Sequence, residues 1–303
     1  MQAAIRVLPA RLFQLSSGCR HRVTGVGNSR RHRASVSLLL IGDEILSGKV
    51  QDRNLYKTAK LLAGAGITLK SVEVLPDSID VIASTIRSAL LSGSVNGVVT
   101  SGGIGPTHDD VTYEAIALAT DTELKLDEMT AKQMEKMSRK KYGEGWEMNE
   151  WRRKMAVLPT PSHIQRVEGL WCPVVTAYLQ AEAGKGAGVT ALPGVPPLFD
   201  KMLSAAISER DGVFHPMVKA SRVVASVFTQ MTEGDIAALL TECQNNVAKK
   251  GIMIGSYPAF NMAEGMMDYR VKVSIEGDEK EDVEDVAFWL AQRLDGRMTI
   301  GDK

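Results

Sequence analysis

Cysteine and histidine are scarce in this chain of 303 residues, which contains three cysteines and five histidines. The cysteines Cys19, Cys172 and Cys243 lie far apart, so neither a disulfide framework nor a thiolate zinc site is predicted. No two histidines stand at the spacing of metal ligands. Because no apolar run approaches the roughly eighteen residues that a membrane-spanning helix needs, a soluble protein of a reducing compartment is expected.

Acidic residues are absent before Asp43, although the whole chain balances 36 basic against 36 acidic residues. The stretch before Asp43 carries seven arginines, no lysine and an apolar stripe at helical spacing. This pattern is typical of a mitochondrial presequence, so residues 1–34 are predicted to direct import into the mitochondrial matrix. A disordered basic arm for nucleic acid is the alternative. Without this segment, 29 basic residues face 36 acidic ones, and the protein should bind neither nucleic acid nor anionic membranes.

Strand and helix patterns alternate in the first two thirds of the chain. Apolar strand patterns at 35–41, 67–75, 96–100 and 189–192 are interleaved with helical patterns at 54–62, 79–91, 109–119, 127–142 and 195–207. The repeated strand-helix order predicts an α/β domain over residues 35–209, with a doubly wound, mainly parallel sheet and right-handed crossovers. Ligands of such sheets bind beyond the carboxyl ends of the strands.

A change in composition at residues 210–220 predicts a linker. After it, residues 221–303 follow the order strand, helix, strand, strand, helix, strand. That order predicts a smaller α+β domain of the ferredoxin-like type. No cluster of acids, histidines and glycines occurs in it, so catalytic chemistry is expected only in the first domain.

Ser101 to Asp110, with the sequence SGGIGPTHDD, joins a predicted strand to a predicted helix at the ligand-binding edge of the sheet. Gly102, Gly103 and Gly105 are expected to take positive φ and, with Ser101, to present polar groups to an anion. The N-terminus of the next helix adds partial positive charge. A phosphate site is therefore predicted here. No Gly-Lys-Ser/Thr follows, so the loop is not a Walker A loop.

Two acids, Asp109 and Asp110, close this loop and are predicted to begin the helix. Carboxylates at that position repel a bare phosphate, so a divalent cation such as Mg, Mn or Co is expected to bridge carboxylate and phosphate oxygens. The alternative for Asp109 alone is an ordinary helix N-cap. His108 beside them is either an acid or base, or an exposed loop histidine.

A second acidic segment, GDEILSGKVQDRN, follows the first strand from Gly42 to Asn54. It reaches the same edge of the sheet, so Asp43 or Glu44 is predicted to hold the same metal, a second metal or an attacking water. Asp52 and Asn54 contact a ribose or base in one interpretation, and cap the following helix in the other.

A third loop, ALPGVP, follows the late strand, and its Pro193 and Gly194 are predicted to approach the ligand. Together with the segment MNEWRRKMAVLP at 148–159, these ordered motifs resemble the molybdopterin-binding domain. That domain is shared by molybdenum-cofactor biosynthesis proteins, the CinA family and the N-terminal half of eukaryotic FAD synthases. The small C-terminal domain is similar to the one that follows this fold in CinA proteins.

The resemblance implies a metal-dependent nucleotide pyrophosphatase that cleaves FAD to FMN and AMP, or ADP-ribose to AMP and ribose 5-phosphate. A non-catalytic carrier of a pterin or flavin nucleotide is the first alternative, and a molybdopterin adenylyltransferase is the second. A homo-oligomer is expected. Neither the amidase domain of full CinA proteins nor the PAPS-reductase-like module of FAD synthases is recognised in these residues, so FAD synthesis is not expected of them.

Overall fold

The computed structural model of the chain describes residues 33–179, 187–210, 212–259 and 268–301. These residues form two hydrophobic cores. The first core contains, in chain order, β1 (Ser35–Ile41), α1 (Asp43–Leu46), α2 (Asn54–Gly64), β2 (Thr68–Leu75), α3 (Ile79–Leu91), β3 (Gly97–Ser101), α4 (Thr112–Thr120), β4 (Glu123–Leu126), α5 (Glu128–Tyr142), α6 (Glu150–Lys154), β5 (Val157–Thr160), β6 (Ser162–Gln165), β7 (Val174–Tyr178), β8 (Gly188–Leu192) and α7 (Pro196–Ser208). The second contains β9 (Val223–Thr229), α8 (Glu233–Val247), β10 (Met253–Pro258), β11 (Val271–Gly277), α9 (Lys280–Arg293) and β12 (Arg297–Ile300).

A six-stranded sheet in the order β2-β1-β3-β8-β7-β6 forms the centre of the first core. The first four strands of this order run parallel, β7 pairs with β8 in the antiparallel direction, and β6 pairs antiparallel with β7 and so runs in the same direction as the first four. Every residue of β3 and β8 is buried, as expected for parallel strands that are covered by helices on both faces. The predicted α/β class with a mainly parallel sheet is confirmed.

Six elements were not predicted, namely α1, β4, α6, β5, β6 and β7. Each of them has only four or five residues, and α1, β4, α6 and β6 contain no buried residue. Such short segments carry too few apolar positions for a period to be visible. The two-stranded β4-β5 sheet and the antiparallel edge are thus products of tertiary packing.

The small C-terminal domain is an antiparallel sheet in the order β10-β11-β9-β12, with α8 and α9 contributing to its core. Its element order and sheet type confirm the predicted ferredoxin-like α+β domain. The Thr232 hydroxyl and the Asp235 carboxylate form a reciprocal capping box at the start of α8.

Two parts of the sequence that were assigned outside the folded domains contribute to them. Phe214 and Met217, within the predicted linker, are buried in the first core. Residues 1–32 of the predicted presequence lie outside the described residues. Arg33, inside its predicted end, donates to the carbonyl oxygens of Gly66 and Ala220 and is therefore part of the fold.

Within the described ranges, no helix is long and apolar enough to cross a membrane.

Candidate functional site

A cavity of about 450 Å³ lies at the carboxyl ends of β1, β3 and β8. All three loops that were predicted to meet at this edge contribute to its walls. Nine of the twelve predicted site residues line it: Glu44, Asn54, Ser101, Gly102, Gly103, Gly105, Asp110, Pro193 and Gly194. The position agrees with the rule that ligands of doubly wound sheets bind beyond the strand ends.

Asn54 joins the three loops at the base of the cavity. Only 2% of this residue is exposed, and its Nδ2 donates to Ser101 Oγ at 2.8 Å and to the Gly194 carbonyl oxygen at 2.9 Å. Its Oδ1 is buried without a hydrogen-bond partner. A buried acceptor in this state costs free energy unless a donor satisfies it, so Asn54 has one position left for a ligand hydroxyl, amide or water.

The cap interpretation holds for Asp52, whose carboxylate accepts the backbone N–H groups of Asn54 and Leu55 at 3.1 and 2.9 Å. Asp52 nevertheless lines the same cavity. It therefore fixes the beginning of α2, which in turn holds Asn54 in place.

The glycine-rich loop needs its glycines for two separate reasons. Gly102 and Gly103 have φ values of 108° and 67°, which side-chain-bearing residues rarely adopt. A Cβ at Gly102 would lie 2.3 Å from the Ile41 carbonyl oxygen, and one at Gly103 would lie 2.2 Å from Thr112 Oγ1. The loop is therefore packed against the end of β1 and the beginning of α4.

Two details of the predicted anion site are corrected. The N–H of Gly102 donates to the Leu192 carbonyl oxygen at 3.1 Å, because β8 continues its pairing with β3 to that point, so it is not available to a ligand. Gly105 does not have positive φ; a Cβ there would lie 2.6 Å from the Asp110 carboxylate, which would have to shift. The N–H groups of Gly103, Ile104 and Gly105 make no hydrogen bond to described residues.

The prediction that Asp109 and Asp110 begin the helix is wrong, because α4 starts at Thr112. Both hydrogen-bonding groups of Thr112 point back to the loop, the N–H to the Gly103 carbonyl oxygen and the hydroxyl to that of Gly102. Asp110 instead closes a turn, since its Oδ2 accepts the backbone N–H and the hydroxyl of Thr107. Its Oδ1 has no partner among the described residues.

Three predicted site residues, Asp43, His108 and Asp109, do not line the cavity. The side chains of His108 and Asp109 are 96% and 58% exposed, with only a distant contact of 4.0 Å between them. The geometry thus agrees with the exposed-loop interpretation of His108.

Asp77 is an acid at this edge of the sheet that was not predicted. It follows β2 by two residues, and its Oδ2 accepts the N–H of Asp43 at 2.9 Å. Burial is the main cause that raises the pKa of Asp77, and the charges of Asp43, Glu44 and Asp109 add to the rise. Because β2 pairs with β1 in parallel, an acid just after β2 had to reach this edge, and the sequence offered that signal.

Lys154 was also missed, although it lies in the MNEWRRKMAVLP segment. Its Nζ donates to the carbonyl oxygens of Thr107 and Asp110 at 3.1 and 2.6 Å and lies 3.5 Å from a Glu114 carboxylate oxygen. Lys154, which belongs to α6, therefore links the turn that contains Asp110 to both α6 and α4.

The carboxylates of the cavity suit a cation that arrives with a phosphate ligand. Within the described residues, no three histidine, cysteine, aspartate or glutamate side chains lie close enough to hold a metal ion together. Glu44 and Asp110 both line the cavity, and Mg²⁺ commonly uses one or two carboxylates, with water and substrate phosphate as its other ligands. Asp109, predicted as the partner of Asp110, does not line it.

Comparisons with known proteins match both parts of the chain. Residues 37–211 match the family described as a probable molybdopterin binding domain, and residues 222–303 match the FAD synthase middle domain. The probable FAD synthase of Caenorhabditis elegans is 29% identical over 287 residues, which are 89% of this chain and 52% of that protein. A protein of Pyrococcus abyssi is 30% identical over 84% of this chain and 95% of its own length.

A solved structure, that of the CinA protein with unknown function from Thermoplasma acidophilum, is 31% identical in sequence. It covers 57% of this chain and 95% of its own, with a TM-score of 0.48. The chain spans about half the length of the probable FAD synthases of Caenorhabditis elegans and Caenorhabditis briggsae that it matches.

Proposed function

The chain belongs to the family of probable molybdopterin binding domains, and from this premise we propose that it is a metal-dependent nucleotide pyrophosphatase. Its substrates are FAD, cleaved to FMN and AMP, and ADP-ribose, cleaved to AMP and ribose 5-phosphate. The match of residues 222–303 to the FAD synthase middle domain supports a flavin or adenine nucleotide as the ligand.

One observation carries the proposal: free backbone donors and cation-binding carboxylates line the same cavity. The N–H groups of Gly103, Ile104 and Gly105 are unpaired and suit phosphate oxygens. The carboxylates of Glu44 and Asp110 would repel that phosphate unless a cation lies between them. A pyrophosphate that carries a divalent cation satisfies both sets of groups.

The residues of the cavity have separate roles in this mechanism. The backbone amides of the three loop residues hold the phosphate that is not attacked. Asn54 Oδ1 accepts a hydrogen bond from a hydroxyl or amide of the ligand. Glu44 and Asp110 would hold the cation, which neutralises the charge of the phosphoanhydride. Water attacks the other phosphorus, the bridging P–O bond breaks, and the proton of the water passes to the Glu44 carboxylate.

The rest of the cavity offers an apolar surface. Ile41, Ile45, Val50 and Val195 line it beside the polar groups. Such walls suit the flat ring of adenine, and the volume of about 450 Å³ lies within the range of small-molecule sites. We therefore assign the AMP half of the substrate to this cavity.

Release of AMP tests the function directly. The protein is incubated with FAD or ADP-ribose in the presence of Mg²⁺, Mn²⁺, Co²⁺ or a chelator, and AMP is measured. Turnover is expected only with a divalent cation. Binding without turnover under every condition would favour the non-catalytic carrier, and a requirement for ATP and a pterin would favour the adenylyltransferase.

A pair of matched variants assigns the activity to this cavity. Asp110→Asn keeps the size of the side chain and an acceptor for Thr107 but removes the charge, so the rate should fall by about 10²-fold. Asp285→Asn removes an exposed acid of the small domain and should leave the rate unchanged. A folded Glu44→Gln, Asp110→Asn double variant with the parent rate would exclude this site.

For location, we propose that the arginine-rich segment before the fold acts as a mitochondrial presequence. Because Arg33 is held by Gly66 and Ala220, the removable part should end before it. A reporter fused to residues 1–32 should enter mitochondria, whereas cytosolic or nuclear fluorescence would refute this proposal.

A further inference from the structure

A second cavity, of about 230 Å³, lies next to the first on the other side of the glycine-rich loop. The two cavities share three lining residues, Ile104, Gly105 and Asp110. A ligand whose pyrophosphate lies on this shared wall can therefore extend into both. The second cavity is bounded on its far side by α4, β4, β5 and α6.

The charged side chains of the second cavity are unevenly paired. Lys154 is occupied by the Thr107 and Asp110 carbonyl oxygens and by Glu114. Arg153, its neighbour in α6, lines the cavity and makes no side-chain hydrogen bond or ion pair with the described residues. Glu150, one turn earlier, is likewise unpaired among them. Beside Asp110 on the shared wall, one cation and one carboxylate of α6 thus remain for a ligand.

This combination of side chains selects a class of ligand. Guanidinium groups bind phosphate through charge-assisted hydrogen bonds, and carboxylates accept hydrogen bonds from sugar hydroxyls, as they do from the ribose of dinucleotides. Tyr113, Leu124 and Val157 add an apolar surface against which the carbon face of a sugar can pack. A polyol phosphate has all three features, whereas a bare anion would meet the carboxylates of Glu114 and Glu150.

We propose that the second cavity binds the polyol phosphate half of the dinucleotide and that Arg153 contacts its phosphate. This inference rests on the proposed function and adds a second subsite to it. The volume decides how much of each substrate enters: about 230 Å³ is below the roughly 300 Å³ at which sites for drug-sized molecules begin. The ribose 5-phosphate half of ADP-ribose fits completely, while only the ribityl phosphate of FAD enters and its ring system stays outside.

Equilibrium binding of a ligand series, measured by calorimetry with Mg²⁺ present and with methylene-bridged analogues of ADP and ADP-ribose that cannot be cleaved, tests the subsite. AMP fills only the first cavity, ADP adds the second phosphate, and ADP-ribose adds the sugar and its linkage. In the parent protein, ADP-ribose should bind more tightly than AMP. Arg153→Gln should weaken ADP-ribose binding by about tenfold, the loss expected for one charge-assisted contact with phosphate, and should leave AMP binding unchanged.

Arg152→Gln is the matched control. It removes an adjacent arginine of α6 that donates to the Glu147 carbonyl oxygen and lies over the Trp146 ring, and that lines neither cavity. The Arg152→Gln variant should bind all three ligands with the same affinities as the parent protein. Thermal unfolding of both variants checks that the loss at Arg153 does not come from a damaged fold.

The outcomes separate the subsite from the hydrolytic function. A parent protein that prefers ADP-ribose over AMP, loses the preference in Arg153→Gln and never releases AMP would support the subsite and refute the hydrolysis. An equal preference in the parent and Arg153→Gln would overturn the subsite, even if AMP is released. A protein that binds neither ADP-ribose nor AMP would overturn both.

Discussion

The small domain and the carboxyl edge of the large sheet use their carboxylates in opposite ways. In the small domain, Asp268 pairs with Arg297 and Asp282 pairs with Lys250, while Asp235 closes the capping box of α8. At the carboxyl edge of the large sheet, Asp43, Glu44, Asp52, Asp77, Asp109 and Asp110 lie near one another. Among the described residues, none of these six forms an ion pair with lysine or arginine.

The difference indicates that the carboxylates of the small domain stabilise the fold, whereas those at the edge of the large sheet serve ligand binding. Paired or capping carboxylates lower the free energy of the folded state, as the lowered pKa of Asp235 reflects, chiefly through the Thr232 hydroxyl. Burial, and after it the charges of the neighbouring unpaired acids, raise the pKa of Asp77, and both effects oppose folding. Such arrangements are characteristic of functional sites, and the four predictions below test this contrast.

Gly102→Ala should have the largest effect. The new Cβ would lie 2.3 Å from the Ile41 carbonyl oxygen, at a φ of 108°. We expect the free energy of unfolding to fall by about 3 kcal/mol or more, as for strained backbone combined with overpacking, and AMP release to be lost. The comparison is with Gly64→Ala at the end of α2, where a Cβ meets no atom within 4 Å.

Urea unfolding measures both glycine variants. Gly64→Ala should be neutral or stabilising by up to about 1 kcal/mol, because alanine is the better helix former. Equal stability of Gly102→Ala and Gly64→Ala would mean that the loop is not packed as described.

Lys154→Met tests whether the turn at Asp110 is held from outside the loop. The ammonium group donates to two carbonyl oxygens of the turn, so its loss should lower the free energy of unfolding by about 1–3 kcal/mol. The rate should fall by about tenfold, because Asp110 loses its fixed position. The exposed Lys136 of α5 supplies the control, Lys136→Met, and steady-state kinetics at a temperature where both variants are folded gives the comparison. An unchanged rate for Lys154→Met would limit the lysine to a structural role.

Asp77→Asn and Asp235→Asn should change stability in opposite directions at neutral pH. The folded-state pKa of Asp77 is above its ordinary value of 3.8, so the folded protein binds more protons and stability falls as the pH rises through that raised pKa. Asp77→Asn removes this loss and should stabilise the protein at pH 7. The pKa of Asp235 is lowered, so Asp235 contributes stability above 3.8 that is lost as the pH falls through the lowered pKa.

Unfolding by urea at pH 7 and at about pH 3 distinguishes the two aspartates. The gain from Asp77→Asn and the loss from Asp235→Asn should both shrink in acid. Changes of the same sign at pH 7 would contradict the contrast between the two regions.

Long buried elements could be predicted from the sequence, and contacts between distant loops could not. The helix at 79–91 and the strand at 35–41 have the predicted bounds, because each carries a full apolar period. The role of Asn54 depends on Ser101 and Gly194, which are 47 and 140 residues away. No local pattern encodes such a junction.

The site itself was predicted in its loops but not in all of its side chains. The glycine-rich loop and its two neighbours were recognisable because turn residues follow apolar strands. The exposure of Asp109 and the cavity position of Asp110 depend on the turn that Thr107 closes, and a run of two acids does not show which of them turns inward. The role of Lys154 could not be predicted for a related reason. Its partners are backbone carbonyl oxygens, which every residue has, so no residue type in the loop indicates the contact.

Asp268→Ala in the small domain should have the smallest effect. Its carboxylate pairs with Arg297 at 2.7 Å, but the two side chains are 69% and 57% exposed, and exposed pairs of this kind contribute between zero and about 1 kcal/mol. We expect AMP release at the parent rate and a change in the free energy of unfolding of less than about 0.5 kcal/mol.

Asp278→Ala is the sharper test, because Asp278 pairs with Arg33 at the base of the first domain. It should lower stability measurably and still leave turnover intact, since neither residue lines the cavities at the sheet edge. A loss of activity in folded Asp278→Ala as large as that in Asp110→Asn would mean that the small domain takes part in the chemistry.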